Sequence, residues 1–131
     1  MLIRRRAVHY VRPDVCMCGG ITGAKKIAGM AEAFNIGVVP HNPLSPVSTA
    51  ACLQIAANAP NFALQEYPSG EDIPPKSEII KERIAQEGGY LIIPDAPGIG
   101  MELAPGAAEK HPYRRRKMVT RLQEDGSVMD Q

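Results

Sequence analysis

Three short β-forming runs, each closed by a proline and separated by segments of helical periodicity, restrict this chain to few architectures. Ala7 to Val11 runs up to Pro13, Ile36 to Val39 is bounded by Pro40, and Phe62 to Tyr67 ends at Pro68. Proline cannot donate to a ladder, so each marks a strand end. Between the first two runs, Gly23 to Asn35 places Ala24, Ile27, Ala28, Ala31 and Phe34 at three- and four-residue steps, with Lys25, Lys26 and Glu32 elsewhere on the wheel. That spacing predicts an amphipathic helix with Thr22 as its N-cap. A second helix is predicted over Pro46 to Asn58, where Val47, Ala50, Ala51, Leu53, Gln54 and Ala57 recur at helical spacing and Pro46 occupies a tolerated first-turn position. Strands alternating with helices imply an α/β fold with a parallel sheet and right-handed crossovers, either open or closed into a barrel.

Beyond Pro68 the pattern changes. Ser77 to Glu87 fits either a helix burying Ile80 and Ile84 or one arm of a hairpin that turns at Gly88-Gly89, with Tyr90 to Ile93 returning. The hairpin is the expectation. Asp95 to Gly100 is turn-forming, and the tail after Leu103 is polar without a clear period. The chain therefore divides into 1–70, which carries the βα units, and 71–131, a C-terminal extended segment.

Composition narrows the partners. No apolar run approaches the ~18 residues a membrane-spanning helix requires, and fifteen Lys plus Arg against fourteen Asp plus Glu leave a net charge of +1. Neither a membrane nor a nucleic acid is expected as a partner. The run Arg114-Arg115-Arg116-Lys117 could be a nucleic-acid or targeting patch, but Glu124 and Asp125 follow it, and a solvated face is the favoured reading. The basic N-terminus lacks the apolar stretch of a secretory signal, so a cytoplasmic location is expected. Three cysteines, Cys16, Cys18 and Cys52, make at most a weak zinc signature and read as packed, reduced thiols.

In α/β sheets ligands bind past the carboxyl ends of the strands. The ionisable residues there are Asp14, His41 and Glu66, 27 and 25 residues apart, close to the ~31 residues of a βα unit in a barrel. A carboxylate beside an imidazole can hold its tautomer and raise its basicity, and a further acid can hydrogen-bond developing oxyanion charge. Such a set suits removal of a proton from carbon next to a carboxylate. The competing reading is of loop and helix-capping residues. Gly19, Gly20 and Gly23 form G-G-x-x-G between strand and helix, for which tight-turn geometry is favoured over a phosphate cradle. Asn42 and Ser45 lie near His41, where loop hydrogen bonding and contact with substrate hydroxyls are both open. His9 and His111 are read as structural.

These same residues carry a family resemblance. Arg12-Pro13-Asp14-Val15, Cys18-Gly19-Gly20-Ile21-Thr22, Lys26-Ile27-Ala28, Ala31-Glu32-Ala33, Val39-Pro40-His41-Asn42-Pro43-Leu44-Ser45-Pro46 and Leu64-Gln65-Glu66 resemble the C-terminal part of acid-sugar dehydratases in the mandelate racemase group of the enolase superfamily, galactonate dehydratases above all. The stretch from Gly89 to Leu103 is similar to the family's final segment, which returns towards a capping domain. The resemblance implies the C-terminal portion of a TIM-type (β/α)7β barrel, strands 6 to 8, with His41 as general base, Asp14 as its orienter and Glu66 as the acid that hydrogen-bonds the enolic carboxylate oxygen. It implies a small sugar-acid substrate and Mg²⁺, with elimination of the β-hydroxyl to a 2-keto-3-deoxy acid. Racemases and epimerases of the group use the same dyad.

The family's acidic metal ligands lie on its third to fifth strands, and its second-strand base and leaving-group acid also precede the dyad. None has a counterpart in this chain. Glu71, Asp72, Glu78, Glu82 and Glu87 belong to polar segments after the last barrel strand and do not replace them. Enolate chemistry without the metal forfeits a term worth several kcal/mol, so this chain by itself is expected to be inactive, and its open strand edges point to self-association as a homo-oligomer or a partly molten state.

Overall fold

Every second residue of the middle strand donates its N–H to the first. Gly37, Val39 and His41 donate to the carbonyls of His9, Val11 and Pro13, each at 3.0 Å. This is a parallel ladder, with β1 (Tyr10–Val11) aligned on β2 (Gly37–Val38) through Tyr10 opposite Gly37 and Val11 opposite Val38. The computed structural model describes residues 2–115 and 122–127. On the other side of β2, Val38 donates to Asn61 O and accepts from Ala63 N, both at 2.9 Å. Alternation makes Pro40 the next donor on that edge, and it has no N–H. The third run is therefore reduced to one parallel bridge, Val38 to Phe62, where the sequence predicts a strand over Phe62 to Tyr67. All three runs are parallel neighbours, in the order in which they occur in the chain.

Helix α1 spans Gly20–Glu32, three residues earlier at each end than its periodicity suggests, with Gly19 rather than Thr22 as the N-cap and no side-chain cap bond. Gly19 and Gly20 adopt φ of 96° and 72°, left-handed values that cost other residues free energy and that bend the chain into the helix straight after Asp14. At Gly23 a Cβ would lie 2.0 Å from the Cys18 carbonyl oxygen. The G-G-x-x-G pattern is thus accounted for by turn geometry and close backbone approach. The helix closes where Asn35, at φ 56°, lets Ile36 N return to Ala31 O at 3.0 Å, leaving Phe34 beyond its end.

Helix α2 spans Pro46–Asn58, as the sequence predicts, with Ser45 Oγ accepting from Ser48 N at 3.3 Å. Its buried set differs from the predicted stripe. Ser48, Thr49, Cys52 and Ile55 are buried with Ala50 and Leu53, whereas Ala57 is exposed. The reason is that α2 is covered on two sides, by α1 and by the C-terminal segment, which reaches it through Glu71 to Thr49 and through Gln54 to Ile99 O.

Two small clusters form the core. Ile3, Ala28, Ala31, Ile36 and Val38 pack between α1 and β2, and Val15, Ala24, Cys52 and Ile55 pack between α1 and α2. Ala59 touches both, and Asn61 Nδ2 donates to Ala28 O and Ile36 O, tying α1 to the strand. In the C-terminal segment Gln86–Glu87 (β3) and Tyr90–Leu91 (β4) form an antiparallel hairpin turning at Gly88-Gly89. Both turn glycines have positive φ, 57° and 87°, as a type I′ turn requires. The first arm is shorter than predicted. Lys76–Glu78 is a 3-10 turn, and Ile80 is buried by bridging to Leu103 rather than on a helix. A four-residue helix α3, Ala107–Lys110, interrupts the tail read as aperiodic, being too short to create a period. Arg114 and Arg115 are exposed, while Arg116 and Lys117 lie outside the described residues.

Candidate active site

The register of the ladder builds the site. The 27-residue offset that pairs Tyr10 with Gly37 persists beyond the strands and places Asp14 opposite His41. His41 Nδ1 lies 2.9 Å from Asp14 Oδ2. The other carboxylate oxygen, Oδ1, accepts from Cys16 N at 2.8 Å, and Asp14 is 8% exposed. Asp14 is thus fixed through both oxygens. With Nδ1–H donated to Asp14, the lone pair of a neutral His41 ring sits on Nε2, and the side chain is about one-third open to solvent. Hydrogen-bond geometry and access together make Nε2 a competent proton acceptor.

Glu66 obeys a different offset. Val38 pairs with Phe62, and the same 24-residue step carries Asn42 to Glu66. Its Oε2 accepts from the Asn42 backbone N–H at 2.8 Å and from Arg12 Nη2 at 2.6 Å. Asn42 N–H, the Arg12 guanidinium and, more weakly, His41 hold the Glu66 carboxyl below the ordinary range. It stands as a carboxylate and presents an acceptor. The three predicted site residues are therefore brought to one end of the parallel strands, with Glu66 joined to the dyad through Asn42 and Arg12.

Sequence reasoning passed over Arg12 and Glu71. Arg12 precedes Asp14 by two residues, the strand repeat, which is the signal that places both on one side of β1's continuation. Glu71, assigned to a polar segment, is 4% exposed and accepts from Thr49 Oγ1 at 2.7 Å. Burial pushes its carboxyl up from the usual range. No periodicity announces it, because the residue lies in an irregular turn. Asn42 is fully buried and Ser45 caps α2, which favours the loop hydrogen-bonding reading of both. The cysteines are all free thiols, with Cys52 buried, Cys18 half-buried and Cys16 exposed, so Cys16 departs from the expected packing.

The family described as Enolase C-terminal domain-like matches residues 1–107. The chain belongs to that family. It is the α/β C-terminal portion of an enolase-superfamily barrel, which explains the parallel βα units and the common end at which Asp14, His41 and Glu66 gather. A D-galactonate dehydratase family member of Streptomyces bingchenggensis is 34% identical over 98% of this chain and 31% of its own length. A D-galactonate dehydratase of Ralstonia nicotianae is 41% identical over 71% of this chain and 26% of its own. The crystal structure of an enolase from Pantoea ananatis with bound D-gluconate and Mg superposes with a TM-score of 0.84 at 29% identity, covering 97% of this chain and 31% of that one. The chain thus spans less than a third of the length of each of these three proteins.

The donor set that the described residues of this enolase-family chain offer does not fit a divalent cation. Among the described residues no three of His, Cys, Asp and Glu converge as metal ligands. Glu66 is committed to Arg12 and Asn42, Asp14 to His41 and Cys16. Among the described residues no helix is long and apolar enough to cross a membrane.

Proposed function

We propose that this chain is the base-bearing segment of an acid-sugar dehydratase, with residues 1–70 carrying the site and 71–131 the C-terminal segment that would return to a capping domain. The observation that carries the reading is the Asp14–His41 pair, 2.9 Å apart at adjacent parallel strand ends, with the His41 side chain about one-third open to solvent. His41 Nε2 takes the proton from the carbon next to the substrate carboxylate, breaking that C–H bond. Asp14 holds the imidazolium that results. The electron pair moves to the carboxylate as an enediolate, and its return expels the β-hydroxyl, which leaves as water with a proton from the leaving-group acid that the family resemblance places ahead of the dyad, outside this segment. The enol product tautomerises to a 2-keto-3-deoxy acid. Glu66 as found is an acceptor and donates to an enolic oxygen only when protonated. The Arg12 guanidinium beside it carries N–H donors and the positive charge that an enediolate needs. The names of the relatives support acid sugars such as galactonate as the substrate class.

Family membership implies Mg²⁺, and its ligands are assigned to parts of the enzyme outside this segment. The lack of a donor set among the described residues favours a second reading, a non-catalytic binding module. The experiment that separates them offers galactonate and related aldonates with Mg²⁺ to the 131-residue chain, alone and with the preceding portion of a galactonate dehydratase supplied in trans. The expected result is no 2-keto-3-deoxy product from the chain alone and product in the mixture, lost with His41→Asn. Product that survives His41→Asn overturns the assignment, and no product in either arm supports the binding module.

A further inference from the structure

A buried polar relay runs from the C-terminal segment to the candidate site. Asn42 Nδ2 donates to Thr49 Oγ1, and Thr49 Oγ1 donates to Glu71 Oε1 at 2.7 Å. Asn42 and Thr49 are 0% exposed and Glu71 is 4% exposed. A buried polar group is costly unless it is hydrogen-bonded, so three such groups in line are mutually dependent. The direction of the chain is set by chemistry. An amide NH2 only donates and a hydroxyl carries one hydrogen, so once Asn42 donates to Thr49 the hydroxyl hydrogen goes to Glu71, its shorter partner; the Ser45 carbonyl lies at 3.3 Å. The far end of the Asn42 side chain, Oδ1, is buried and has no partner among the described residues. Its amide is consequently oriented from the NH2 end, through Thr49 and Glu71.

Asn42 is also the hinge of the site. It follows His41 directly, and its backbone N–H is one of the two donors on Glu66 Oε2. We propose that Glu71 is a positioning residue: through Thr49 it fixes Asn42, and so holds the Asn42 N–H on Glu66 beside the candidate base. The inference rests on the reading of His41 and Glu66 as site residues only for its purpose; the coupling itself is measured without turnover, so its failure is distinct from the failure of that reading. The relay also gives the C-terminal segment a direct hold on the site, from a residue 22 positions beyond Thr49 in the chain.

The test is a double-mutant cycle in the full chain, read by NMR. Glu71→Ala, Thr49→Val and the double variant are compared with the parent for two signals, the Asn42 backbone amide proton and the titration of the Glu66 side-chain carboxyl. The expected result is that Glu71→Ala moves the Asn42 amide upfield and raises the Glu66 midpoint. Thr49→Val does the same, the double variant adds nothing further, and Glu71→Gln retains most of the parent signal. Should Glu71→Ala fail to fold, the near-isosteric pair Thr49→Val and Glu71→Gln carries the test. Folded variants with an unmoved Asn42 amide and Glu66 titration overturn the proposal, as does full additivity of the two substitutions.

Discussion

At the level of single residues, opposite environments act on two carboxyls that lie close together in the sequence, Glu66 and Glu71. Glu71 is buried, so its proton is held more tightly in the folded chain than in the unfolded one. From the unfolded pKa up to the raised folded value, the folded state binds more protons, and stability falls as pH rises through that window. Glu66 has the reverse sign. Donors favour its charge, so its contribution is present above the unfolded pKa and is lost as pH falls through the lowered folded value. Urea melts across the acid range are expected to show Glu71→Gln removing the decline and Glu66→Gln removing the acid-side loss; unchanged profiles contradict the assignment. The thiols separate in the same way. Burial pushes Cys52 up to about 11, while Cys16 is exposed, and the thiolate is the reactive form. Iodoacetamide at pH 8 is expected to label Cys16 in the native chain and Cys52 only in denaturant, as read by peptide mass spectrometry.

Of the three glycines in helix α1, packing treats Gly23 and Gly29 oppositely. A Cβ at Gly23 meets the Cys18 carbonyl at 2.0 Å, whereas one at Gly29 meets nothing within 4 Å. Gly29→Ala is expected to stabilise by about 0.5–1 kcal/mol through helix propensity. Gly23→Ala is expected to destabilise, because backbone must move. Matched thermal melts that rank the two equally contradict this account. At the start of α2, Ser45 accepts from Ser48 N, and Ser45→Ala should cost about 0.5–2 kcal/mol, measured by chemical denaturation. Both helices were readable from their apolar spacing, and α2 to the residue, since Ser45-Pro46 is a cap followed by a first-turn proline. The start of α1 was not. Its boundary depends on two left-handed glycines before Thr22, where a hydroxyl residue mimics a cap it does not form.

For the whole molecule, the two-stranded parallel sheet and the single bridge beside it leave unpaired edges. Edges of this kind template further pairing, and Leu64 and Tyr90 are exposed large apolar groups, at 57% and 74%. Size exclusion and circular dichroism are expected to show self-association or a broad melt, and a monodisperse, cooperatively melting monomer contradicts the expectation. The first two strands, the α/β class, helices α1 and α2 and the gathering of Asp14, His41 and Glu66 at one end of the parallel runs were legible in the sequence. Prolines, apolar periodicity and a ladder repeat are local signals, and they mark the strand ends where such residues collect. The sequence spacing of 27 even equals the register that pairs Asp14 with His41. The spacing of 25 to Glu66 did not reveal its partners, because that ladder steps by 24 and meets Asn42 instead. Tertiary structure alone decided the pairing of Glu66 with Arg12, the burial of Glu71 and the relay through Thr49. Those depend on an irregular segment folding back over α2, and contacts between distant segments leave no period in a sequence.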